Sequence, residues 1–232
     1  MGRAMKKIVC LAVAIFMLTS TVYAANFEDI KGHWAENTIN RLANRGIVNG
    51  ISEYQFEPNG VVTRAEYLKM MMNLVGIETA QWRSGECLDA AAGDWYAPYL
   101  QSALDKGLIP KEMIASYKAH VTVSVDEDGN TVSGVRYTGA FNGNLPIERE
   151  EMAVLTMHLY QYAADAKEAE TAVKSVSFKD MDEISVWAQP SVKLAVTKGF
   201  IEGMDDGIFQ PSETATRAQA ATILGRILDK QQ

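Results

Sequence analysis

Val62-Thr63-Arg64-Ala65-Glu66, with Tyr67, Met70, Met71 and Leu74 behind it, decides how this chain folds. Thr63 three residues before Glu66 fits a capping box, in which hydroxyl and carboxylate each take an orphaned backbone N–H at a helix start. The apolar residues that follow fall at helical spacing and mark one buried face. The same start returns as Thr216-Arg217-Ala218-Gln219, followed by Ala220, Ile223, Leu224 and Ile227. It returns again, with the capping threonine replaced, as Ile147-Glu148-Arg149-Glu150-Glu151, followed by Met152, Leu155 and Leu159.

Upstream of each start the surroundings also recur. Phe56, Phe141 and Phe209 each lie 7 residues before it. Farther back, Trp34, Trp95 and Trp187 are each followed 12 residues later by Gly46, Gly107 and Gly199. Between each Trp and Gly runs a short amphipathic segment, Ile39, Leu42 and Ala43 in the first copy, which predicts a helix closed by the glycine. Pro98 and Pro190 sit in the first turn, where a missing N–H does no harm. Gly50 and Gly203 lie in the loop out of that helix, and each copy opens on an x-x-Asp segment ending at Asp29, Asp89 or Asp180. A shared period of this kind means a repeat architecture, and the prediction is a mainly α fold of three repeats, at 25–80, 85–163 and 176–232. The second copy holds 24 extra residues between Gly107 and Phe141. Alternating Val, Thr and Tyr over His120 to Asp126 and Thr131 to Thr138 predicts a β-hairpin there, an insertion at about 118–140. Asp126 and Asp128 before Gly129 are read as a plain turn, since the remaining calcium-ligand spacing is missing.

Residues 1–24 read as a secretory signal peptide: Arg3, Lys6 and Lys7, an apolar stretch from Ile8 to Leu18, then small residues before a cleavage point. No other apolar run is long enough to span a bilayer. The full chain carries 22 basic and 29 acidic residues. Removal of three basic residues with the leader takes the net charge from −7 to −10. So acidic a chain is a poor nucleic-acid binder. Only Cys87 remains of two cysteines, so no intramolecular disulfide forms, and Cys87 is expected as a small buried hydrophobe. Each repeat is marginal alone, so the three are expected to pack on one another as a monomer.

Three arginines carry the chemical signal. Arg64, Arg149 and Arg217 each fall in a helix first turn, where a cation faces the positive dipole end at a cost of roughly 0.3–1 kcal/mol. Local helix chemistry does not ask for them. One explanation is an inter-repeat salt bridge to Asp29, Asp89 or Asp180. The other is an anion site, in which guanidinium and free N–H groups converge on a carboxylate or phosphate. Arg149, next to Glu148, is expected to contribute less than Arg64 and Arg217. Trp34, Trp95 and Trp187 are expected in the core, with sugar stacking as the alternative. His33, His120 and His158 show no metal spacing, no nucleophile triad or phosphate loop is present, and no carboxylate pair stands out, so neither a catalytic residue nor a cofactor is expected.

Taken together, Phe27-x-Asp29, His33-Trp34-Ala35, Gly46-Ile47-Val48-Asn49-Gly50, Phe56-x-Pro58 and Val62-Thr63-Arg64-Ala65-Glu66 resemble the S-layer homology (SLH) family, and the third copy matches as closely. The second is similar through Asp89, Gly93-Asp94-Trp95-Tyr96, Gly107-Leu108-Ile109 and Arg149. The resemblance implies a pseudo-threefold helical spindle whose inter-repeat grooves bind secondary cell-wall polysaccharide, commonly with a pyruvate ketal. It implies Arg64, Arg149 and Arg217 as carboxylate ligands, with Trp34, Trp95, Trp187, Asp29, Asp89, Asp180, Gly50 and Gly203 as groove or stacking residues. The chain ends soon after the third motif, so the expectation is a stand-alone wall-binding module that occupies wall sites or assists other surface-layer proteins. The alternative is a cell-envelope protein–protein adaptor that binds no glycan.

Overall fold

Each short helix is closed by the same backbone device. Gly46, Gly107 and Gly199 take φ of 70°, 64° and 71°, which lets the next N–H turn back to a carbonyl five residues earlier. Ile47 donates to Leu42 at 3.0 Å, Leu108 to Ala103 at 2.9 Å and Phe200 to Ala195 at 2.9 Å. All three donors are apolar and buried, as this type of helix termination favours.

The structure is a computed structural model that describes residues 26–83, 89–125, 131–163 and 175–230. The leader expected at 1–24, Cys87 and the turn expected at 126–130 lie outside the described residues. The described part is mainly helical, with α1 (Glu36–Ala43), α2 (Arg64–Val75), α3 (Ala97–Asp105), α4 (Arg149–Ala163), α5 (Gln189–Thr197) and α6 (Arg217–Lys230). Two strands, β1 (Ala115–Val125) and β2 (Thr131–Ala140), pair antiparallel with Val121 opposite Val135. They reach back to Ala115, ahead of the alternating run that begins at His120. Among the described residues no helix is long and apolar enough to cross a membrane.

The long helices start as their sequences dictate. Thr63 and Glu66 form the full capping box, and Thr216 and Gln219 exchange the same two hydrogen bonds at 2.9 and 3.2 Å. Where Glu148 replaces threonine only half survives, the Glu148 N–H donating to Glu151 Oε2 at 3.3 Å.

The three helix starts are tied to one another in a closed ring. Val62 N–H donates to Ala215 O at 3.0 Å, Ala215 N–H to Ile147 O at 3.2 Å, and Ile147 N–H to Val62 O at 3.0 Å. Side-chain packing follows the same circuit. α3 packs on α2, α5 on α4, and α1 on α6, so each short helix covers the long helix of another copy. Ile39 and Leu42 of α1, with Ala220, Leu224 and Ile227 of α6, are fully buried. Gly225 lets α1 and α6 approach so closely that an added Cβ would meet the Thr38 methyl at 2.6 Å, and Arg41 pairs with Asp229 across the same contact.

Candidate functional site: grooves beside three buried arginines

The aspartates and arginines act on the same peptide from opposite sides. Asp29, Asp89 and Asp180 each accept from the N–H of a phenylalanine and of the residue after it. Asp180, for example, binds Phe209 N–H at 2.8 Å and Gln210 N–H at 2.7 Å. Those second residues, Glu57, Asn142 and Gln210, have φ of 62°, 55° and 58°, a left-handed conformation that costs a non-glycine residue roughly 1–2 kcal/mol. The paired amide bonds hold the turn there. Partial burial pushes the Asp180 carboxyl up, but hydrogen bonds from Gln210 and Phe209, with Arg149 nearby, hold it below the usual carboxylate range.

Each arginine then takes the carbonyl of that phenylalanine from a neighbouring copy. Arg64 Nε donates to Phe141 O at 2.8 Å, Arg149 Nε to Phe209 O at 2.9 Å, and Arg217 Nε to Phe56 O at 2.8 Å. The guanidinium carbons stand 5.0, 5.1 and 4.7 Å from the same three rings, within cation–π range. A second nitrogen of each binds one more main-chain carbonyl, of Met113, Glu202 and Asn49 respectively. All three side chains are buried, at 5, 8 and 4 % exposure. Burial pushes the guanidinium pKa of Arg149 and of Arg217 down from its ordinary value, against the pull of nearby acids.

The expected partners therefore change. Among the described residues no salt bridge joins these arginines to Asp29, Asp89 or Asp180; Arg64 instead pairs with Glu151 and Arg217 with Glu66, the latter at 3.4 Å. The helix N–H groups expected to face a ligand are also taken. Arg64 and Ala65 N–H donate to Leu145 O and Gly143 O, Arg149 and Glu150 to Glu213 O and Pro211 O, Arg217 and Ala218 to Gly60 O and Pro58 O. Any anion at these places is received by side chains.

Three grooves open beside the arginines. The first joins Arg217, Asn49, Gly50, Glu66, Lys69 and Trp95. The second joins Arg64, Glu112, Leu145, Glu148 and Glu151. The third joins Arg149, Trp34, Glu202, Gly203, Gln219 and Arg226. Gly50 and Gly203 are steric necessities, since a Cβ would sit 2.4 Å from Phe27 in one case and 2.5 Å from Phe178 in the other. Asp29, Asp89 and Asp180 line none of these three grooves.

Two of the three tryptophans depart from their expected core role. Trp34 and Trp95 are 66 and 49 % exposed, and Trp187 is half-buried against the core edge. The following residues, Ala35, Tyr96 and Ala188, take the buried place instead, because successive side chains around a helix start diverge by about 100°. Lys69 stands 5.6 Å from the Trp95 ring. Lys69 and Arg226 went unremarked in the sequence, although Lys69 lies three residues after Glu66 and Arg226 seven after Gln219, on the same helical faces.

Glu148 lies in the groove of Arg64, so the acidic neighbour that the sequence assigned to Arg149 stands beside Arg64 instead. Burial raises the Glu148 carboxyl pKa, helped by Glu151 and Glu150 and opposed by Arg64. An acid raised in the folded state binds more protons folded than unfolded, so its contribution to stability is lost as pH rises through the folded value. Glu148→Gln should therefore raise the thermal midpoint at pH 7, and the gain should shrink towards pH 4. An equal gain at both pH values in thermal melts would remove ionisation as its cause.

Comparison with known proteins agrees with the geometry. Residues 26–68 and 177–221 match the S-layer homology domain. The chain is 34 % identical over 208 residues to an amylopullulanase of Thermoanaerobacterium thermosulfurigenes, covering 90 % of this chain and 10 % of that protein. It is 34 % identical to exoglucanase XynX of Acetivibrio thermocellus, covering 89 % of this chain and 16 % of that one. An S-layer protein of Bacillus thuringiensis subsp. finitimus is 27 % identical, over 95 % of this chain and 23 % of its own length. Residues 26–68 and 177–221 are thus S-layer homology segments, and the S-layer and cell-surface relatives that match the chain place it at the cell surface. It spans between a tenth and a quarter of those relatives, so the activities in the two enzyme names belong to those proteins.

Proposed function

We propose that this chain anchors at the cell wall by holding an acidic secondary wall polysaccharide, through a pyruvate-type carboxylate, in the grooves beside Arg64, Arg149 and Arg217. In this reading the repeats at 25–80, 85–163 and 176–232 form a pseudo-threefold spindle, β1 and β2 are an insertion in the second, and 1–24 is an export leader. The observation that carries the proposal is an exposed tryptophan beside a buried guanidinium, Trp95 with Arg217 and Trp34 with Arg149. A flat apolar ring suits a sugar face, and a desolvated guanidinium suits a carboxylate. The hydrogen-bonded ring through Val62, Ile147 and Ala215 supports the threefold arrangement.

The test is calorimetry of residues 25–232 against purified wall polysaccharide, intact and depyruvylated. Saturable binding that weakens on the order of 10–100-fold without pyruvate is expected, the scale of one or two charge-assisted hydrogen bonds. Equal affinity for both would overturn the carboxylate contact. No binding to either, with capture of another surface-layer protein, would favour an envelope adaptor.

A further inference from the structure

We infer that the Arg149 groove is the one built to take the carboxylate, and that Gln219 is the specificity-determining residue that leaves it open. The inference rests on the reading above that the grooves hold a carboxylate-bearing sugar, and it says which of them does.

The three grooves share a frame and differ at one atom. In the first, Glu66 spends Oε2 on the Thr63 N–H at 2.9 Å and turns Oε1 to Arg217 Nη1. In the second, Glu151 spends Oε2 on the Glu148 N–H and turns Oε1 to Arg64 Nη1. Each guanidinium thus has all three nitrogens engaged, two by carbonyls and one by an internal carboxylate. An incoming anion must compete with a tethered one.

Gln219 occupies the same position in the third groove. Its Oε1 accepts the Thr216 N–H at 2.9 Å, which fixes the amide orientation and leaves Nε2 where the other copies have a carboxylate oxygen. An amide nitrogen donates only, so it cannot accept from Arg149. Arg149 accordingly gives Nε and Nη2 to Phe209 O and Glu202 O, while Nη1 has no hydrogen-bond partner among the described residues. The side chain is more than nine-tenths buried. Two donors from different copies therefore face one groove without an acceptor between them.

The surrounding charges favour an anion at the same place. Glu202, the acid in this groove, is held by Arg226 Nη2 at 2.7 Å. Asp180, whose charge Arg149 senses, has both oxygens on the Phe209 and Gln210 N–H groups and forms no ion pair with Arg149. Trp34 supplies the sugar platform at the rim. The second groove has the opposite character, with Glu112, Glu148 and Glu151 around a single arginine. The order of the grooves thus reverses the one expected from Glu148's place in the sequence.

Gln219→Glu decides the matter. Glutamate fills this position in the other two copies and preserves the cap, so the variant should melt as the unmodified chain does. Titrated with intact wall polysaccharide, it should bind at least tenfold more weakly, because Arg149 gains an internal carboxylate. Glu66→Gln should have the reverse effect, freeing Arg217 and adding a second site per chain. Unchanged affinity in Gln219→Glu would overturn this assignment and leave the wall-binding reading standing. Absence of polysaccharide binding by the unmodified chain would overturn both.

Discussion

Arg217→Leu should lower the free energy of unfolding by about 3–5 kcal/mol, the scale of removing one partner from a buried charged network. The guanidinium is 4 % exposed and ties Phe56 O and Asn49 O of the first copy to the start of α6. Leucine fills part of the volume but donates nothing. The buried Phe56 carbonyl then lacks its donor, at roughly 1–3 kcal/mol, the part-buried Asn49 carbonyl loses its own, and Glu66 loses its cation. Arg217→Lys should fall between the two, since one ammonium cannot reach both carbonyls in the planar geometry of the fork. Denaturant unfolding monitored by far-UV circular dichroism is the measurement, with the denaturant slope unchanged. A loss below about 1 kcal/mol would mean that water replaces the guanidinium and that the arginine is not a structural pin. Truncating these arginines therefore tests the fold before it tests the ligand, which is why the binding assignment above is tried on Gln219.

Ending the chain before α6, at Thr216, should abolish cooperative folding of the whole molecule. α1 packs on α6, and Ile39, Leu42, Ala220, Leu224 and Ile227 bury their side chains completely. At about 1.5–3 kcal/mol for each large aliphatic side chain, exposing that contact costs on the order of 10 kcal/mol, as much as a domain of this size has in total. The truncated chain should show weak helical signal and no sigmoidal melt. A two-thirds helical signal with a sharp transition would mean that the remaining copies fold without closure.

The helices were readable because their signals are local: Ile39 and Leu42 set a period, Gly46 ends it, and Thr63 with Glu66 starts the next. Arg64, Arg149 and Arg217 stood out because they oppose the dipole of their own helix. Their partners did not, since main-chain carbonyls of Phe141, Phe209 and Phe56 leave no trace in residue type. Trp34 and Trp95 misled because hydrophobicity alone ranks tryptophan above Ala35 for a core place, whereas the backbone turns the ring outward. Glu148 misled for a related reason. It adjoins Arg149 in the chain, but successive residues at a helix start diverge, and its carboxylate enters the groove of Arg64. Gln219 was visible only as an acceptable capping residue. Its meaning needs the two glutamates with which the fold makes it equivalent.

The closed circuit through Val62, Ala215 and Ile147 also bears on how such a sequence diversifies. In an open stack of repeats, units are gained or lost at the ends, and stability changes in increments. Here the first and last copies are neighbours, and every short helix is covered by another copy's long one. A two-copy chain would leave one apolar face bare, and a fourth copy would have to break the ring to enter. Closure therefore favours a fixed copy number, and variation is channelled into point changes at the groove residues, which leave the three hydrogen bonds between the helix starts in place.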